Sequence, residues 1–535
     1  MTATVREATF DLLRQLGLTT IFGNPGSTEE PFLQDFPADF TYVLGLQEAS
    51  VLAMADGYAQ ATGRPALVNL HTFAGVGHAV GNLICAYYNK TPLIVTAGQQ
   101  TREMLLIEPY LTNVQPTETP KPWVKWSYEP VRAADAPAAI MRAYATAVQP
   151  PAGPVFLSLP MDDFEKPADG KAVVRTVSQR VGPDPARLAE FAQAISEARN
   201  PVLVIGAGVD RADSWNAAVR LAEKLNVPVW APPETERAAF PEHHALFQGY
   251  LPFAIAPLSE KLKGHDLVVV IGSPVFRYYP YVPGNYLPAE ARLLHISDDP
   301  AETARAPVGD SMLADAGLAL EGLLGAVEPG HYPPVPAREL KRKLPDSPGP
   351  VLTPAEVFAT LQAGRPEDAV LLLESTSNAE LFHHWVLITR PRSFTLFASG
   401  GLGWALPAAV GYALAERDTG RNRPVLCILG DGAANYSIQA LYTAAQHRLP
   451  IVFLVLNNRE YGILKSFAEQ QKTPGVPGMD LPGLDFISLA TGYGCTAVRA
   501  ATSEDVAREL KQALDRNGPT VLEIPITSEV APLLS

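Results

Sequence analysis

The sequence predicts an α/β protein with three doubly wound, parallel-sheet domains. Short apolar runs, typical of buried parallel strands, alternate with longer helix-patterned stretches along the chain. The 535 residues are too many for one ordinary core, since a domain holds roughly 100 to 200 residues. Two segments rich in charge and proline, residues 161–187 and 328–354, are predicted linkers. The predicted domains therefore span residues 1–180, 181–340 and 341–535.

Composition and charge exclude several classes of protein. The chain is 47% hydrophobic and 18% charged, so it can bury real cores and is not of a disordered type. A net charge of −14 argues against a general binder of nucleic acid or of anionic membranes. No run of about 18 uncharged apolar residues occurs, so no membrane span is predicted. We expect a small-molecule partner instead.

The three cysteines, Cys85, Cys427 and Cys495, lie far apart and without the spacing of a zinc site. Residues 1–17 mix charges with apolar residues at helical spacing, unlike a signal peptide. Both observations predict a cytoplasmic protein without disulfides.

In the first third, three residues are candidates for a functional site. Glu48 follows the apolar run 42–46 and opens the helical run 49–62, so it is either a helix-start acid or a site residue. Ser27 begins Ser-Thr-Glu-Glu, a capping box, and its hydroxyl serves as an N-cap, as a ligand group, or as both. His71 follows the run 66–70 at the ligand edge. His78 and His447 are interpreted as structural.

The middle third begins with the strand-like run 201–205, followed by Gly206-Ala-Gly208. The third glycine of a dinucleotide-binding motif is missing, so these glycines are predicted to form a structural turn. We expect no NAD or FAD requirement.

The last third holds the sharpest pattern. The apolar run 425–429 leads into Gly430-Asp431-Gly432, and the run 451–456 ends in Asn457-Asn458. Adjacent parallel strands end at the same sheet edge, so a carboxylate and an amide oxygen there can bind one Mg²⁺ that carries a diphosphate. Upstream, the segment 399–403 places Leu402 among glycines, which suits a packing loop or a ligand contact equally.

Together these motifs resemble those of the thiamine diphosphate-dependent 2-oxoacid decarboxylases. Gly-Asp-Gly with the paired asparagines is similar to their diphosphate motif, and Gln47-Glu48-Ala49 with residues 55–59 to their pyrimidine-domain motif. Residues 22–27, 69–71, 96–102, 125–130 and 274–278 are most similar to the benzoylformate decarboxylases. The resemblance implies non-oxidative decarboxylation of a benzoylformate-like 2-oxoacid to an aldehyde and CO₂, with carboligation as a side reaction. It also implies that the three domains are pyrimidine-binding, central and diphosphate-binding.

The resemblance carries roles to individual residues. It implies that Glu48, His71 and Ser27 are catalytic, and that Asp431, Asn458 and the backbone carbonyl of Glu460 hold Mg²⁺. The residues implied to contact thiamine diphosphate are Glu48, Thr376, Ser377, Gly400, Leu402, Gly430, Ala433, Asn435, Tyr436 and Ser437. The implied substrate pocket comprises Ser27, His71, Tyr110, Leu111, Tyr279, Ile463 and Phe467.

The chain departs from the family pattern at two positions. Tyr279 stands where the pattern places a second catalytic histidine. Ile463 stands where benzoylformate decarboxylases have a smaller residue, which would narrow the pocket toward aliphatic or less bulky aryl substrates. A carboligase of the acetohydroxyacid synthase or aldehyde lyase type is the alternative on the same scaffold, and a non-catalytic cofactor-binding protein is the alternative from another class. The resemblance further implies a homodimer or homotetramer with active sites between subunits.

Overall fold

The computed structural model describes residues 3–332, 334–344, 349–528 and 533. These residues form three α/β units, each built around a six-stranded sheet whose paired strands are all parallel. The fold class predicted from the sequence is therefore confirmed. The predicted boundaries at 180/181 and 340/341 fall between the sheets and stay predictions, and residues 333 and 345–348 of the second predicted linker lie outside the described residues.

The first sheet has the order β2-β1-β3-β4-β6-β5. Its strands are β1 (Thr20–Gly23), β2 (Thr41–Leu44), β3 (Ala66–Leu70), β4 (Leu93–Gln99), β5 (Ser127–Tyr128) and β6 (Val155–Pro160). Its helices are α1 (Val5–Gln15), α2 (Glu30–Leu33), α3 (Glu48–Thr62), α4 (Thr72–Tyr88) and α5 (Ala136–Val148). Helix α3 ends at Gly63, whose left-handed φ of 67° suits a residue without a side chain.

The middle sheet has the order β12-β11-β10-β7-β8-β9. Its strands are β7 (Pro201–Ile205), β8 (Val229–Ala231), β9 (Phe247–Tyr250), β10 (Leu267–Ile271), β11 (Arg292–Ser297) and β12 (Asp310–Leu313). Its helices are α6 (Pro185–Glu197), α7 (Ala207–Arg211), α8 (Trp215–Leu225), α9 (Ile255–Lys261), α10 (Pro300–Arg305) and α11 (Ala316–Ala326). A Cβ on Gly208, the second residue of α7, would lie 2.7 Å from the Cα of Gly272, so this glycine serves close backbone packing.

The last sheet has the order β14-β13-β15-β16-β18-β17. Its strands are β13 (Val370–Glu374), β14 (Phe394–Leu396), β15 (Val425–Gly430), β16 (Ile451–Asn457), β17 (Thr496–Arg499) and β18 (Thr520–Pro525). Its helices are α12 (Pro354–Gly364), α13 (Ala379–Trp385), α14 (Ala405–Asp418), α15 (Asp431–Tyr436), α16 (Ala440–Gln446), α17 (Gly462–Gln471), α18 (Phe486–Gly492) and α19 (Ser503–Leu514).

Helices α3 and α14 join the first domain to the last. A Cβ on Gly57 of α3 would lie 2.3 Å from the carbonyl oxygen of Ala408, and a Cβ on Gly411 of α14 would lie 1.9 Å from that of Met54. The two backbones therefore approach as closely as they do because both positions lack a side chain. Among the described residues, no helix is long and apolar enough to cross a membrane.

Candidate active site

Glu48 is the first residue of α3 and is nearly buried, with 8% of its surface exposed. One carboxylate oxygen accepts a hydrogen bond from Nδ2 of Asn24 at 3.2 Å, and the other lies 3.0 Å from Nδ1 of His78. The side chain of Gln47 caps α3 by accepting from the backbone N–H of Ser50, which fixes the start of the helix. His78, which the sequence analysis interprets as structural, therefore contacts the candidate acid.

His71 lies at the end of β3 and is held by a buried carboxylate. Its Nδ1 is 2.8 Å from Oε2 of Glu29 and 3.2 Å from the hydroxyl of Thr28. Glu29 is 1% exposed and also accepts hydrogen bonds from the backbone N–H groups of Gly26 and Gly98, at 2.9 and 2.8 Å. These contacts fix the imidazole ring and leave Nε2 as its other nitrogen for chemistry.

Glu29 was missed in the sequence because Ser-Thr-Glu-Glu has the pattern of a capping box. The structure does not form that box: α2 begins at Glu30, its N-cap is Glu29, and no side chain caps it. The interpretation of Ser27 as an N-cap is therefore wrong. Ser27 is exposed and directly precedes the Thr28-Glu29 pair that contacts His71.

Asp431 and Asn458 follow neighbouring strands, as the sequence predicts. Gly430 of β15 pairs in register with Leu456 of β16, so both strands end at one sheet edge. The carboxylate of Asp431 accepts hydrogen bonds from the backbone N–H groups of Gly432 and Arg459, each at 2.7 Å. Burial, with a smaller effect of the charge on Glu460, raises the pKa of Asp431 to about 6.

The donor set at this edge fits a magnesium ion better than a softer metal. Among the described residues, no three His, Cys, Asp or Glu side chains converge as a metal-binding group. One buried carboxylate with an amide oxygen and backbone carbonyls leaves further coordination positions for diphosphate oxygens, which is the usual way in which Mg²⁺ is held. One carboxylate oxygen of Glu460, Oε2, forms an ion pair with Lys465, whereas Oε1 is buried without a hydrogen-bond partner among the described residues.

Two further segments border this edge. Thr376 and Ser377 lie in the 3₁₀ turn Thr376–Asn378 directly after β13. A Cβ on Gly462, at the start of α17, would lie 3.1 Å from Oγ of Ser377 and 3.2 Å from Nδ2 of Asn458. Ser377 and Asn458 are therefore brought to the same place from distant parts of the chain. The remaining predicted contacts, Ala433, Asn435 and Tyr436, lie in α15, and Ser437 follows it.

The glycine-rich segment 399–403 enters α14 and lies against the end of α15. Gly403 has a φ of 97°, and a Cβ there would lie 2.7 Å from Cβ of Tyr436. Its carbonyl oxygen accepts a hydrogen bond from the Ser437 hydroxyl at 2.5 Å. Gly400 is exposed and Leu402 half-buried, so this segment presents one apolar side chain beside the Asp431 edge.

The predicted pocket residues fall into two groups. Tyr279 and Phe467 pack together with their ring centroids 4.8 Å apart, and Ile463 lies on the same helix as Phe467. Tyr279 is 61% exposed. Tyr110 and Leu111 belong to the first domain, where Tyr110 is 89% exposed and Leu111 adopts a positive φ of 66°.

Family models for the three domains of a thiamine pyrophosphate (thiamine diphosphate) enzyme match the chain. The N-terminal TPP binding domain matches residues 3–118, the central domain residues 188–323, and the C-terminal TPP binding domain residues 376–524.

Individual relatives agree with these models. Benzoylformate decarboxylase from Pseudomonas aeruginosa is 49% identical over 98% of both chains. The crystal structure of benzoylformate decarboxylase from Polynucleobacter necessarius is 51% identical and covers 99% of this chain and 100% of its own, with a TM-score of 0.98. A thiamine diphosphate-dependent 4-hydroxybenzoylformate decarboxylase from Rhodococcus jostii RHA1 is 45% identical, with coverage of 99% and 100% and a TM-score of 0.95. The chain therefore belongs to the thiamine diphosphate-dependent decarboxylases, as a carboxy-lyase of the benzoylformate decarboxylase type.

Proposed function

We propose that this enzyme decarboxylates benzoylformate or a closely related aryl 2-oxoacid to the aldehyde and CO₂, with thiamine diphosphate and Mg²⁺ bound. Two observations support the proposal: an aromatic wall, Tyr279 on Phe467, and a histidine fixed by a buried carboxylate, His71 on Glu29. An aryl group suits the first and a carboxylate or keto oxygen suits the second. The relatives named for benzoylformate and 4-hydroxybenzoylformate support the same substrate class.

The cofactor is proposed to lie between two sheet edges. One is the edge of the first domain's sheet beside Glu48, and the other is the edge of the last domain's sheet beside Asp431. Asp431, Asn458 and the carbonyl of Glu460 would hold Mg²⁺. The diphosphate would meet backbone or side-chain groups of Thr376, Ser377, Gly430, Ala433, Asn435, Tyr436 and Ser437. Gly400, Leu402 and Glu48 would contact the rings. Bound thiamine diphosphate supplies a nucleophilic carbon and an electron sink for the departing carboxylate.

Glu48 is proposed to exchange a proton with the pyrimidine ring. Its position at a helix start and its low exposure hold the carboxyl in place, and Asn24 supports one of its oxygens. His78 contacts the other carboxylate oxygen of Glu48. When the cofactor is bound, His78 must therefore either share this oxygen with the pyrimidine ring or give up the contact. A positioned acid of this kind contributes on the order of 100-fold to 10,000-fold to a rate.

His71 and Ser27 are proposed to bind the substrate and to exchange protons with it. Because Nδ1 of His71 is engaged by Glu29, the Nε2 atom is the one that can exchange a proton with the keto oxygen or the product. The exposed Ser27 hydroxyl would donate a hydrogen bond to the substrate carboxylate. Tyr279 would donate a hydrogen bond from its phenol.

We also infer a homodimer or homotetramer with active sites between subunits, located in the cytoplasm. Strongly exposed apolar residues on the first domain, among them Leu106 and Tyr110, support a covering subunit. Cys85, Cys427 and Cys495 are buried free thiols, which fits a reducing compartment.

The direct test is CO₂ release from benzoylformate, pyruvate and a branched 2-oxoacid, each with and without thiamine diphosphate plus Mg²⁺. We expect cofactor-dependent release that is fastest with benzoylformate. Preference for an aliphatic acid would contradict the aryl assignment. Product analysis with added aldehyde measures carboligation, and a chain that forms carbon–carbon bonds without net aldehyde release would be a carboligase instead.

A further inference from the structure

Glu374 is a buried carboxyl group whose place in the fold is unusual. It is the last residue of β13 and is 1% exposed. Its two oxygens accept hydrogen bonds from three successive backbone N–H groups, those of Gly403 at 2.5 Å, Trp404 at 3.0 Å and Ala405 at 2.5 Å. Burial raises the pKa of Glu374 to about 7, although these three donors act in the opposite direction.

Trp404 is the N-cap of α14 and Ala405 its first residue, so helix hydrogen bonding leaves their N–H groups without partners, and Gly403 directly precedes them. The N-cap residue of α14, Trp404, provides no side-chain cap. A carboxylate from another strand therefore supplies the cap, and its negative charge is favourable at a helix N-terminus. As a consequence, the position of Gly403 and Trp404 is set by β13.

Other contacts fix the same two residues from different sides. The carbonyl oxygen of Gly403 accepts hydrogen bonds from Ser437 and, at 3.3 Å, from Nδ2 of Asn82. The indole N–H of Trp404 donates to Asp56 at 2.7 Å, and Trp404 is fully buried. The residues immediately before this anchor, Gly400 to Leu402, are exposed or half-buried. Gly403 and Trp404, which these contacts anchor, thus adjoin the more exposed segment Gly400–Leu402.

We propose that Glu374 is a positioning residue that holds the Gly400–Leu402 segment ready for thiamine diphosphate. This inference rests on the proposed function, which places Gly400 and Leu402 against the cofactor. Glu374 also precedes Thr376 and Ser377 by two and three residues, so one carboxylate ties together two segments that contact the cofactor. Ordering a glycine-rich segment before binding removes an entropic cost that the ligand would otherwise have to offset.

The test compares Glu374→Gln with the wild type in two measurements on the metal-loaded, full-length enzyme. Glutamine keeps the shape but replaces one acceptor oxygen by an amide that cannot accept from N–H. We expect the half-saturating concentration of thiamine diphosphate, measured by calorimetry with Mg²⁺, to rise about tenfold or more. Hydrogen exchange on the cofactor-free protein should become faster at the amides of Gly403, Trp404 and Ala405.

Glu416→Gln is the matched control, because Glu416 is a buried carboxylate near the other end of α14, paired with Arg421 and Arg423. It should lower thermal stability without changing cofactor affinity or exchange at residues 403–405. Should Glu374→Gln not fold, Glu374→Asp, which keeps both acceptor oxygens, takes its place, with a smaller loss of affinity expected. If the affinity of the Glu374 variant for thiamine diphosphate stays within twofold of the wild type, this inference is overturned and the proposed function is not. A wild type that binds no thiamine diphosphate would overturn the proposed function as well.

Discussion

At the residue scale, both carboxylate oxygens of Glu48 have partners within the first domain, Asn24 and His78. Replacing Glu48 by Gln keeps the shape of the side chain and an acceptor for Asn24 but removes the acid. We expect kcat for CO₂ release to fall by about 100-fold or more, since that is the usual contribution of a positioned acid or base. Circular dichroism and thermal unfolding should remain near those of the wild type. Unchanged activity would contradict the proposed role of Glu48.

Glu29 should matter almost as much as the histidine it holds. In Glu29→Gln, the new amide group would face the N–H of Gly26 or of Gly98, leaving a buried donor unpaired. An unpaired buried polar group costs about 1–3 kcal/mol, and loss of a supporting contact to a site residue typically costs about 10-fold to 100-fold in activity. We therefore expect both a lower melting temperature and a lower kcat. Glu30→Gln, at the exposed neighbouring residue, should change neither.

Tyr279 allows the ring and the hydroxyl to be tested separately. Tyr279→Phe keeps the packing on Phe467, and we expect KM for benzoylformate to stay within about twofold while kcat falls up to about tenfold, the value of one hydrogen bond. Tyr279→Ala removes the ring pair as well, worth roughly 0.5–1.5 kcal/mol, so KM should rise. Steady-state kinetics of both variants decide the matter. Identical KM values in the two variants would show that the aromatic wall does not meet the substrate.

At the scale of elements, the crossing of α3 and α14 depends on two glycines. Gly411→Ala would place a Cβ 1.9 Å from the carbonyl oxygen of Met54, so the helices must move apart. Overpacking of this kind costs about 1–3 kcal/mol, and we expect a lower midpoint of thermal unfolding. Gly325→Ala in α11, where nothing lies within 4 Å, is the control and should be neutral or slightly stabilising. Equal midpoints for the two variants would contradict the close crossing.

The elements themselves were predictable because each carries a local signal. Strands such as β15 and β16 are continuous apolar runs. The residues that show where these strands end are Gly430-Asp431-Gly432 and Asn457-Asn458. Since parallel strands end together, the placement of Asp431 and Asn458 at one sheet edge followed from the sequence.

The supporting contacts were not predictable, because they join residues far apart in the chain. Glu374 is in sequence only the last residue of an apolar strand, and its contact with Gly403 depends on how β13 faces the start of α14. His78 has only a helical position, and its contact with Glu48 depends on the angle between α3 and α4. Glu29 was not recognised because its local sequence has the pattern of a capping box. In the structure this box does not form, and the Glu29 carboxylate contacts His71 instead. Such contacts are set by tertiary packing, which local propensity does not encode.

At the scale of the whole molecule, the proposed site needs groups from two sheets. Glu48 lies at the edge of the first sheet, and Asp431 lies at the edge of the last. The first domain also exposes Leu106 and Tyr110 to 94% and 89%, so apolar side chains of this segment face solvent in the single chain. A second copy of the chain that covers this surface would complete a site from the Glu48 edge of one subunit and the Asp431 edge of the other.

Mixed oligomers of two inactive variants test this arrangement. Glu48→Gln and Asp431→Asn chains, carrying different tags, would be co-expressed and the hybrids purified through both tags. If the sites lie between subunits, each hybrid dimer contains one site with both defects and one with neither. We therefore expect about half of the wild-type CO₂ release per dimer, because a two-fold symmetric pair has two equivalent sites. If both residues served one site within a chain, every site in the hybrid would carry a defect and activity would stay at the level of the single variants. Each variant purified alone provides that baseline, so restored activity can come only from subunits that share their sites.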